Sequence, residues 1–227
     1  MPNLSALIYK KNMNILYFEL LKLRKKSRGW LGPILVFILI MTAFPLTVEF
    51  LNKDLEQAFF SILWIAVLLV MMLATEDIFL EDYNDGSLEQ LVIHTKSLSF
   101  IIGAKILIYW SLIGVPVSVI GSIYCLGITS SHETALLIFP VLLISSYIFL
   151  NLFCFGNSLT LTKGSVLGTL ITMPLLLPLL VVLGKVVIAI NLGLNYFDFL
   201  ILLLGVLSII IVIIPLIISF VIRAHLE

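Results

Sequence analysis

Residues 79 to 91, which read FLEDYNDGSLEQL, place carboxylates, a glycine and a short apolar pattern side by side in a chain that is 61% hydrophobic. Together with Glu76 and Asp77 just upstream, this segment holds six of the 13 acidic residues of the protein. Other side chains with reactive or ligating groups are scarce, since the chain has only three histidines and two cysteines. The acidic segment is therefore the first candidate for a functional site.

A short helix is predicted inside this segment. Asp85-Gly86 is a common turn sequence, and Ser87 followed three residues later by Gln90 forms a Ser-x-x-Gln capping box. We therefore expect a helix to begin at Leu88. Three apolar residues share one face of that helix by their spacing, and they are Leu88, Leu91 and Val92.

Residues 76 to 83 are expected to continue the preceding helix, so that an acidic stem, a glycine turn and a short helix form a compact elbow. A capped helix with an apolar face is suited to docking into a second protein, which makes the elbow a candidate mechanical coupling element. The alternative is that the carboxylates are only a solvated cap that keeps the preceding helix from sliding into the membrane.

The composition predicts an all-α integral membrane protein. Charged residues make up 11% of the chain and the mean hydropathy is +1.22, so a soluble protein of this size would lack a charged exterior. Six intervals without Asp, Glu, Lys or Arg reach the length of about 20 residues that a helix needs to cross a bilayer. They are Gly29 to Val48, Gln57 to Thr75, Ile106 to His132, Thr134 to Thr162, Gly164 to Gly184 and Phe199 to Ile222. We expect one six-helix transmembrane domain over residues 29–227.

The orientation follows from the basic residues. Seven of the 13 precede the first span, which places the N-terminus in the cytoplasm by the positive-inside rule. Six crossings return the C-terminus to the same side, put residues 49–56, 126–133 and 185–198 outside, and make the loop at 76–97 cytoplasmic.

The basic residues 1–28 are expected to form an amphipathic helix in the cytoplasmic headgroup layer, bound to anionic lipid. A basic tail that only sets the topology is the alternative. A cleaved signal peptide is disfavoured, because the basic region is too long and the apolar segment after it is too extended.

The sequence also indicates where energy for transport would come from. A transporter driven by protons or ions needs ionisable groups at membrane depth, and the middles of the six predicted spans have none. The chain also has no G-x-x-x-x-G-K-[ST] loop that could hold nucleotide phosphates. We therefore expect no enzymatic activity in this chain, and we expect ATP hydrolysis in a separate partner subunit.

Three segments resemble the haem exporter protein B (CcmB) family, the permease subunit of the cytochrome c maturation ABC transporter. They are DGSLEQL after the acidic stem, PILVFILIMTAFPLTV in the first span and MPLLLPLL in the fifth, and the similarity runs from about Trp30 to the C-terminus. The resemblance implies a type-2 ABC exporter-like fold. It places the ATPase-coupling loop on Glu81, Asp82, Asp85, Gly86, Ser87, Leu88, Glu89 and Gln90, to which Leu91 adds apolar surface.

The same resemblance implies a set of partners. These are a CcmA-like ATPase subunit that binds ATP, CcmC-like and CcmD-like membrane subunits, a CcmE-like periplasmic haem chaperone reached indirectly, and a second copy of the chain. Haem is then the candidate substrate rather than a resident cofactor, and the location is the bacterial inner membrane. No metal and no nucleic acid are expected to bind.

A few other residues receive expectations. Cys125 and Cys154 are expected to be packing residues, because no C-x-x-C-H motif is present. His132 is the one histidine on the outer side, where it is a candidate haem ligand. Pro174 and Pro178 are expected to kink the fifth span, because each removes a backbone donor.

Two rows of small residues are expected to be helix-packing seams, within the subunit or between subunits. They are Gly114, Ser118 and Ser122 in the third span and Gly164, Gly168 and Thr172 in the fifth.

Three functions remain open from the sequence. The first is an ATP-driven permease subunit for haem handling in c-type cytochrome biogenesis. The second is an assembly machine that transports nothing and uses ATPase motion to release the loaded haem chaperone. The third is an ABC exporter half for another lipid-like or peptide substrate, which a gene neighbourhood with haem-handling genes would argue against.

The topology gives the first testable prediction. Single cysteines placed at Asn84 and Thr129 should be labelled by impermeant reagents from opposite faces of the membrane, with Asn84 on the cytoplasmic face together with the N-terminus. Labelling of both positions from one face would contradict the six-span topology.

Overall fold

The structure is a computed structural model, and it describes residues 27–47, 55–94, 97–162 and 165–226. The predicted interfacial helix at residues 1–28 lies almost wholly outside these ranges. All regular structure within them is helical. The helices are α1 (Ser27–Thr47), α2 (Leu55–Thr75), α3 (Leu80–Asn84), α4 (Ser87–His94), α5 (Leu98–Tyr109), a π-helical segment (Trp110–Gly114), α6 (Val115–Thr129), α7 (His132–Leu159), α8 (Ser165–Leu192) and α9 (Tyr196–Leu226).

Six stretches are long and apolar enough to cross a membrane, as the sequence predicted. They are Gly29–Thr47, Ala58–Asn84, Leu98–Thr129, His132–Leu159, Leu167–Leu192 and Tyr196–Leu226. The fold class predicted from the sequence is therefore confirmed, and the protein is a multi-pass helical membrane protein.

Two of the six apolar helices extend past a lysine at which the predicted charge-free intervals stop. The third span begins at Leu98 rather than Ile106, and it includes Lys105. The fifth runs on to Leu192, past Lys185. Lys185 is exposed, so its long side chain can extend along the helix towards water. Lys105 is buried, and its burial requires a partner.

Helix α7 is the centre of the bundle and packs against α2, α5, α6, α8 and α9. Every residue from 145 to 154 is buried. The polar side chains in this stretch bond to their own helix: the Ser145 hydroxyl donates to the Leu142 carbonyl oxygen (3.2 Å), and the Asn151 amide donates to the Tyr147 carbonyl oxygen (2.8 Å). A helix buried on all sides can hold such residues because each donor finds an acceptor one turn away.

Helices α7 and α8 cross at two glycines, where their backbones touch. A Cβ added at Gly168 would lie 2.6 Å from the Gly156 carbonyl oxygen, and one added at Gly156 would lie 2.4 Å from the Gly168 carbonyl oxygen. Thr160 and Thr172 flank the crossing and are buried. The small residues Gly168 and Thr172 of the fifth span thus form a seam within the subunit, whereas Gly164 lies outside the described residues.

The small residues of the third span also pack within the subunit. The Ser122 hydroxyl donates to the Ala135 carbonyl oxygen of α7 at 2.9 Å. A Cβ at Gly114 would lie 2.3 Å from Cδ1 of Trp110, whose indole N–H donates to the Ser146 hydroxyl at 3.0 Å. Glycine at this position therefore lets the Trp110 ring lie flat against its own helix.

The α7–α8 crossing predicts a strong size limit at Gly168. Gly168→Ala should lower the stability of the detergent-solubilised protein by about 1–3 kcal/mol, since the new methyl group meets backbone that cannot move independently. Gly184→Ala in the same helix is the matched control, because a Cβ there meets nothing within 4 Å. Thermal unfolding followed by circular dichroism checks this, and equal midpoints for the two variants would contradict the close crossing.

Candidate functional site

The elbow, residues 76–94, joins the second and third membrane-crossing stretches. Helix α2 ends at Thr75, a turn leads to α3, and a second turn at Asp85 and Gly86 leads to α4. Gly86 has φ of +72°, a left-handed conformation that residues with a Cβ resist. The glycine turn predicted from the sequence is therefore confirmed.

The start of α4 is held by two polar contacts. The Asp85 carboxylate accepts the backbone N–H of Ser87 at 3.0 Å, and the Ser87 hydroxyl donates to the Asp82 carbonyl oxygen at 3.3 Å. The helix begins at Ser87, one residue before the predicted start. The second contact ties α4 to α3 across the turn.

The apolar face of α4 points into the protein itself. Leu88 is 3% exposed and belongs to the hydrophobic core, while Leu91 and Val92 are partly buried against that core. In this structure the Leu88 side chain is covered by the protein's own core instead of lying open to a partner protein. The bundle lies beside the short helix and covers its apolar face, because this is the nearest apolar surface.

The end of α3, the turn after it and the other side of α4 together form an exposed surface. It carries polar and acidic residues around one large apolar side chain, Ile93, which is 77% exposed. We call this surface the outer face of the elbow, and its exposed residues are Asn84, Asp85, Glu89, Gln90 and Ile93.

The stem of the elbow is packed as tightly as the core. Ile78 and Phe79 are buried, and the side-chain amide of Asn157 in α7 donates to the Thr75 carbonyl oxygen at 2.8 Å. Thr75 is the last residue of α2, and its carbonyl oxygen also accepts the backbone N–H of Ile78 at 3.2 Å, so the Asn157 amide provides a second hydrogen bond that ties this helix end to α7. The elbow therefore begins from a fixed point on α7.

A buried ion pair joins the elbow to α5. The Asp82 carboxylate accepts a charge-assisted hydrogen bond from the Lys105 ammonium group, and the two residues are 2% and 6% exposed. The ammonium nitrogen also lies 5.9 Å from the centre of the Phe79 ring, within the range of cation–π attraction. Asp82 and Lys105 are 23 residues apart in the sequence, so the pair connects two separate helices.

The sequence interpretation missed this pair, although a signal was present. The sequence pattern groups Asp82 with the docking carboxylates and places Lys105 just before the third span. Lys105 is the one Asp, Glu, Lys or Arg residue between Leu98 and Thr129, and a lone charge in such a stretch calls for an opposite charge nearby.

Two clefts lie at opposite ends of the bundle. One of about 360 Å³ lies beside the elbow, between the start of α1 and the end of α2, and its lining includes Asp77 and Glu81. The other, of about 330 Å³, lies between the start of α2 and the end of α8, and its lining includes Trp64 and Asn191. Each is lined from one end only, so neither crosses the bundle.

The remaining candidate residues are dispersed. His132 is exposed at the start of α7, and a ring nitrogen of His225 lies 3.0 Å from the Val221 carbonyl oxygen. Cys125 and Cys154 are both buried, which fits their expected role in packing. Pro174 and Pro178 lie exposed on α8, which continues through both as one helix. Among the described residues, no group of three or more His, Cys, Asp or Glu side chains could hold a metal ion.

Six membrane-crossing helices with a packed elbow between the second and third define a polytopic helical membrane protein. The family described as CcmB protein matches residues 11–225, and the chain belongs to this family.

Curated relatives agree with this membership. The chain is 31% identical over 186 residues to heme exporter protein B of Haemophilus influenzae, covering 81% of this chain and 84% of the relative. It is 25% identical over 183 residues to the protein of the same name from Pseudomonas aeruginosa, covering 80% and 79%. It is 28% identical over 172 residues to that of Paracoccus denitrificans, covering 74% and 79%.

The two faces of α4 predict opposite effects of truncation. Leu88→Ala should destabilise the protein by about 2–5 kcal/mol, because it leaves a cavity in the core. Ile93→Ala removes a similar side chain from an exposed position and should change stability by less than about 0.5 kcal/mol. Thermal unfolding in detergent compares them, and a Leu88→Ala variant as stable as Ile93→Ala would show that α4 is not packed on the bundle.

Proposed function

We propose that this protein is the membrane permease subunit of an ATP-driven ABC complex that handles or exports haem in c-type cytochrome biogenesis. Membership of the CcmB family and similarity to proteins named heme exporter protein B support the haem assignment. The observation that carries the coupling role is the elbow, whose inner face is fixed in the core while its outer face stays open.

The outer face has the features of a docking surface for a separate ATPase subunit. Ile93 supplies an apolar anchor, and polar and acidic residues surround it, an arrangement common at protein interfaces. Glu89, Asn84 and Asp85 would set orientation and association rate more than affinity. The coupling loop proposed from the family therefore divides into a docking part on the outer face and an anchoring part at Asp82 and Leu88.

The cellular arrangement follows as part of the same proposal. The ATPase is cytoplasmic, so the elbow and both termini face the cytoplasm, and the protein lies in the inner membrane of a bacterium. A CcmA-like ATPase docks on the elbow. CcmC-like and CcmD-like subunits complete the membrane complex, and a CcmE-like chaperone receives haem outside.

A second copy of the chain is part of the proposed complex. The two clefts described above stop within their own ends of the bundle, and α7 fills its middle with buried residues. A passage for cargo between the two copies is part of the same proposal. Pro174 and Pro178, which lie inside α8, are proposed to kink that helix.

A release machine remains the second candidate, and the packed centre of the bundle favours it. In this alternative the subunit moves no haem, and it transmits ATPase motion to partners that free the loaded chaperone. Haem uptake by sealed vesicles that contain the whole complex separates the two functions. ATP-dependent uptake supports export, whereas chaperone release without uptake supports the second candidate. An exporter of another lipid-like or peptide substrate would show neither result.

The docking proposal predicts a variant that inserts normally but loses its ATPase. Ile93→Asp combined with Glu89→Arg should leave membrane levels unchanged, because both residues are exposed. Loss of the apolar anchor should reduce recovery of the ATPase on co-purification by about tenfold or more. Glu133→Arg, an exposed acidic residue at the opposite end of the bundle, is the control. Normal ATPase stoichiometry in the double variant would refute docking at the outer face.

A further inference from the structure

Among the carboxylates of the acidic segment that lie off the outer face, Asp82 is the buried one. Asp82 lies in the middle of α3, points away from the outer face and is almost fully buried. Its partner Lys105 lies seven residues after the start of α5, about 10 Å along the helix axis at 1.5 Å per residue. The pair is therefore inside the bundle rather than in the solvated part of the loop.

We propose that the Asp82–Lys105 ion pair is the joint through which motion of the elbow reaches the membrane helices. This inference rests on the proposed function, in which an ATPase pushes on the outer face. Asp82 and Lys105 are then positioning residues that contact neither ATP nor haem.

On the elbow side, α4 is connected to the Asp82–Lys105 ion pair. The Ser87 hydroxyl at the start of α4 donates to the backbone carbonyl oxygen of Asp82, and Leu88 one residue later is held in the core. A displacement of α4 is therefore passed to α3 through the chain, through this hydrogen bond and through apolar packing.

The contacts on the membrane side connect the pair to the bundle. Lys105 belongs to α5, which packs against α9 where Gly103 faces the Pro215 ring. A charge-assisted hydrogen bond has a preferred direction as well as strength, so it resists sliding of α3 along α5 in a way that apolar contacts do not.

The helix that carries Lys105 also has a place where it can move. Five residues after Lys105 the regular α-helix gives way to the π-helical segment Trp110–Gly114. Such segments break the usual hydrogen-bond register and often lie at functional sites. Helix α5 can therefore change its position relative to α6 at this segment while it remains joined to α3.

The decisive experiment separates folding, docking and coupling in the intact complex. Lys105→Met with Asp82→Asn removes both charges together, which leaves no unpaired charge in the core. This double variant should insert and retain its ATPase, but c-type cytochrome formation per ATPase-bound complex should fall about tenfold, a typical size for a lost coupling. ATP hydrolysis by the purified complex should continue, because the ATPase itself is unchanged.

Conservative changes test whether charge pairing is the cause. Lys105→Arg keeps the charge and the donors and should retain most of the activity, whereas Lys105→Met alone should lose both insertion and activity because Asp82 is left buried without its partner. Lys185→Met, which removes an exposed lysine of α8, should behave as wild type. An exchange of the two residues, Asp82→Lys with Lys105→Asp, should recover activity relative to the double neutral variant.

The outcomes distinguish this inference from the proposed function. Wild-type cytochrome formation in the double neutral variant would overturn the joint while leaving ATPase docking intact. An exchanged pair that inserts and binds the ATPase but is no more active than the neutral pair would overturn it as well. If the outer-face variant Ile93→Asp with Glu89→Arg keeps its ATPase, the proposed function fails at docking, whatever the ion-pair variants do.

Discussion

Burial of a single charge in an apolar bundle is so costly that an ion pair inside it constrains everything around it. The Lys105 ammonium group in the third membrane-crossing stretch is paired with the Asp82 carboxylate, and both side chains are buried. The pair therefore determines where the third span begins and how closely the elbow lies against the bundle. Without Lys105, the Asp82 carboxylate would have to take up a proton or move towards water, because a lone buried charge is costly.

Helix α7 provides the frame on which this arrangement rests. It is buried along most of its second half, and its crossing with α8 at Gly156 and Gly168 brings two backbones into contact. Close-packed helices shift as rigid bodies rather than deform continuously. Since the Asn157 side chain of the same helix donates to the last carbonyl group of α2, the beginning of the elbow is attached to the central helix of the bundle.

The sequence predicted the features that depend on local pattern. Six apolar stretches, the left-handed turn at Gly86 and the amphipathic pattern of α4 follow from hydropathy, turn chemistry and spacing alone. It could not predict which surface covers Leu88, because the same apolar face fits a partner protein or the chain's own core. The pairing of Asp82 with Lys105 depends on how α3 packs against α5, and a charge was instead treated as a boundary. Local patterns thus predict which segments form helices and turns. Which carboxylates are buried and which are exposed depends on how those helices pack against one another.

The carboxylates of the acidic segment therefore have different roles, some on the exposed surface and one in a buried ion pair. The energy needed to break each contact indicates how the helices of the elbow would move. A partner that pushes on the outer face can pull Leu88 out of the core, which costs about 2–5 kcal/mol. It can also break the buried pair, which leaves two unpaired charges at a cost of about 3–5 kcal/mol. Neither loss occurs if α3, α4 and α5 move together and the change is absorbed at the π-helical segment Trp110–Gly114. Concerted movement of the three helices is then the least costly response. The buried pair joins α4, through α3, to α5, so that these helices move as one unit.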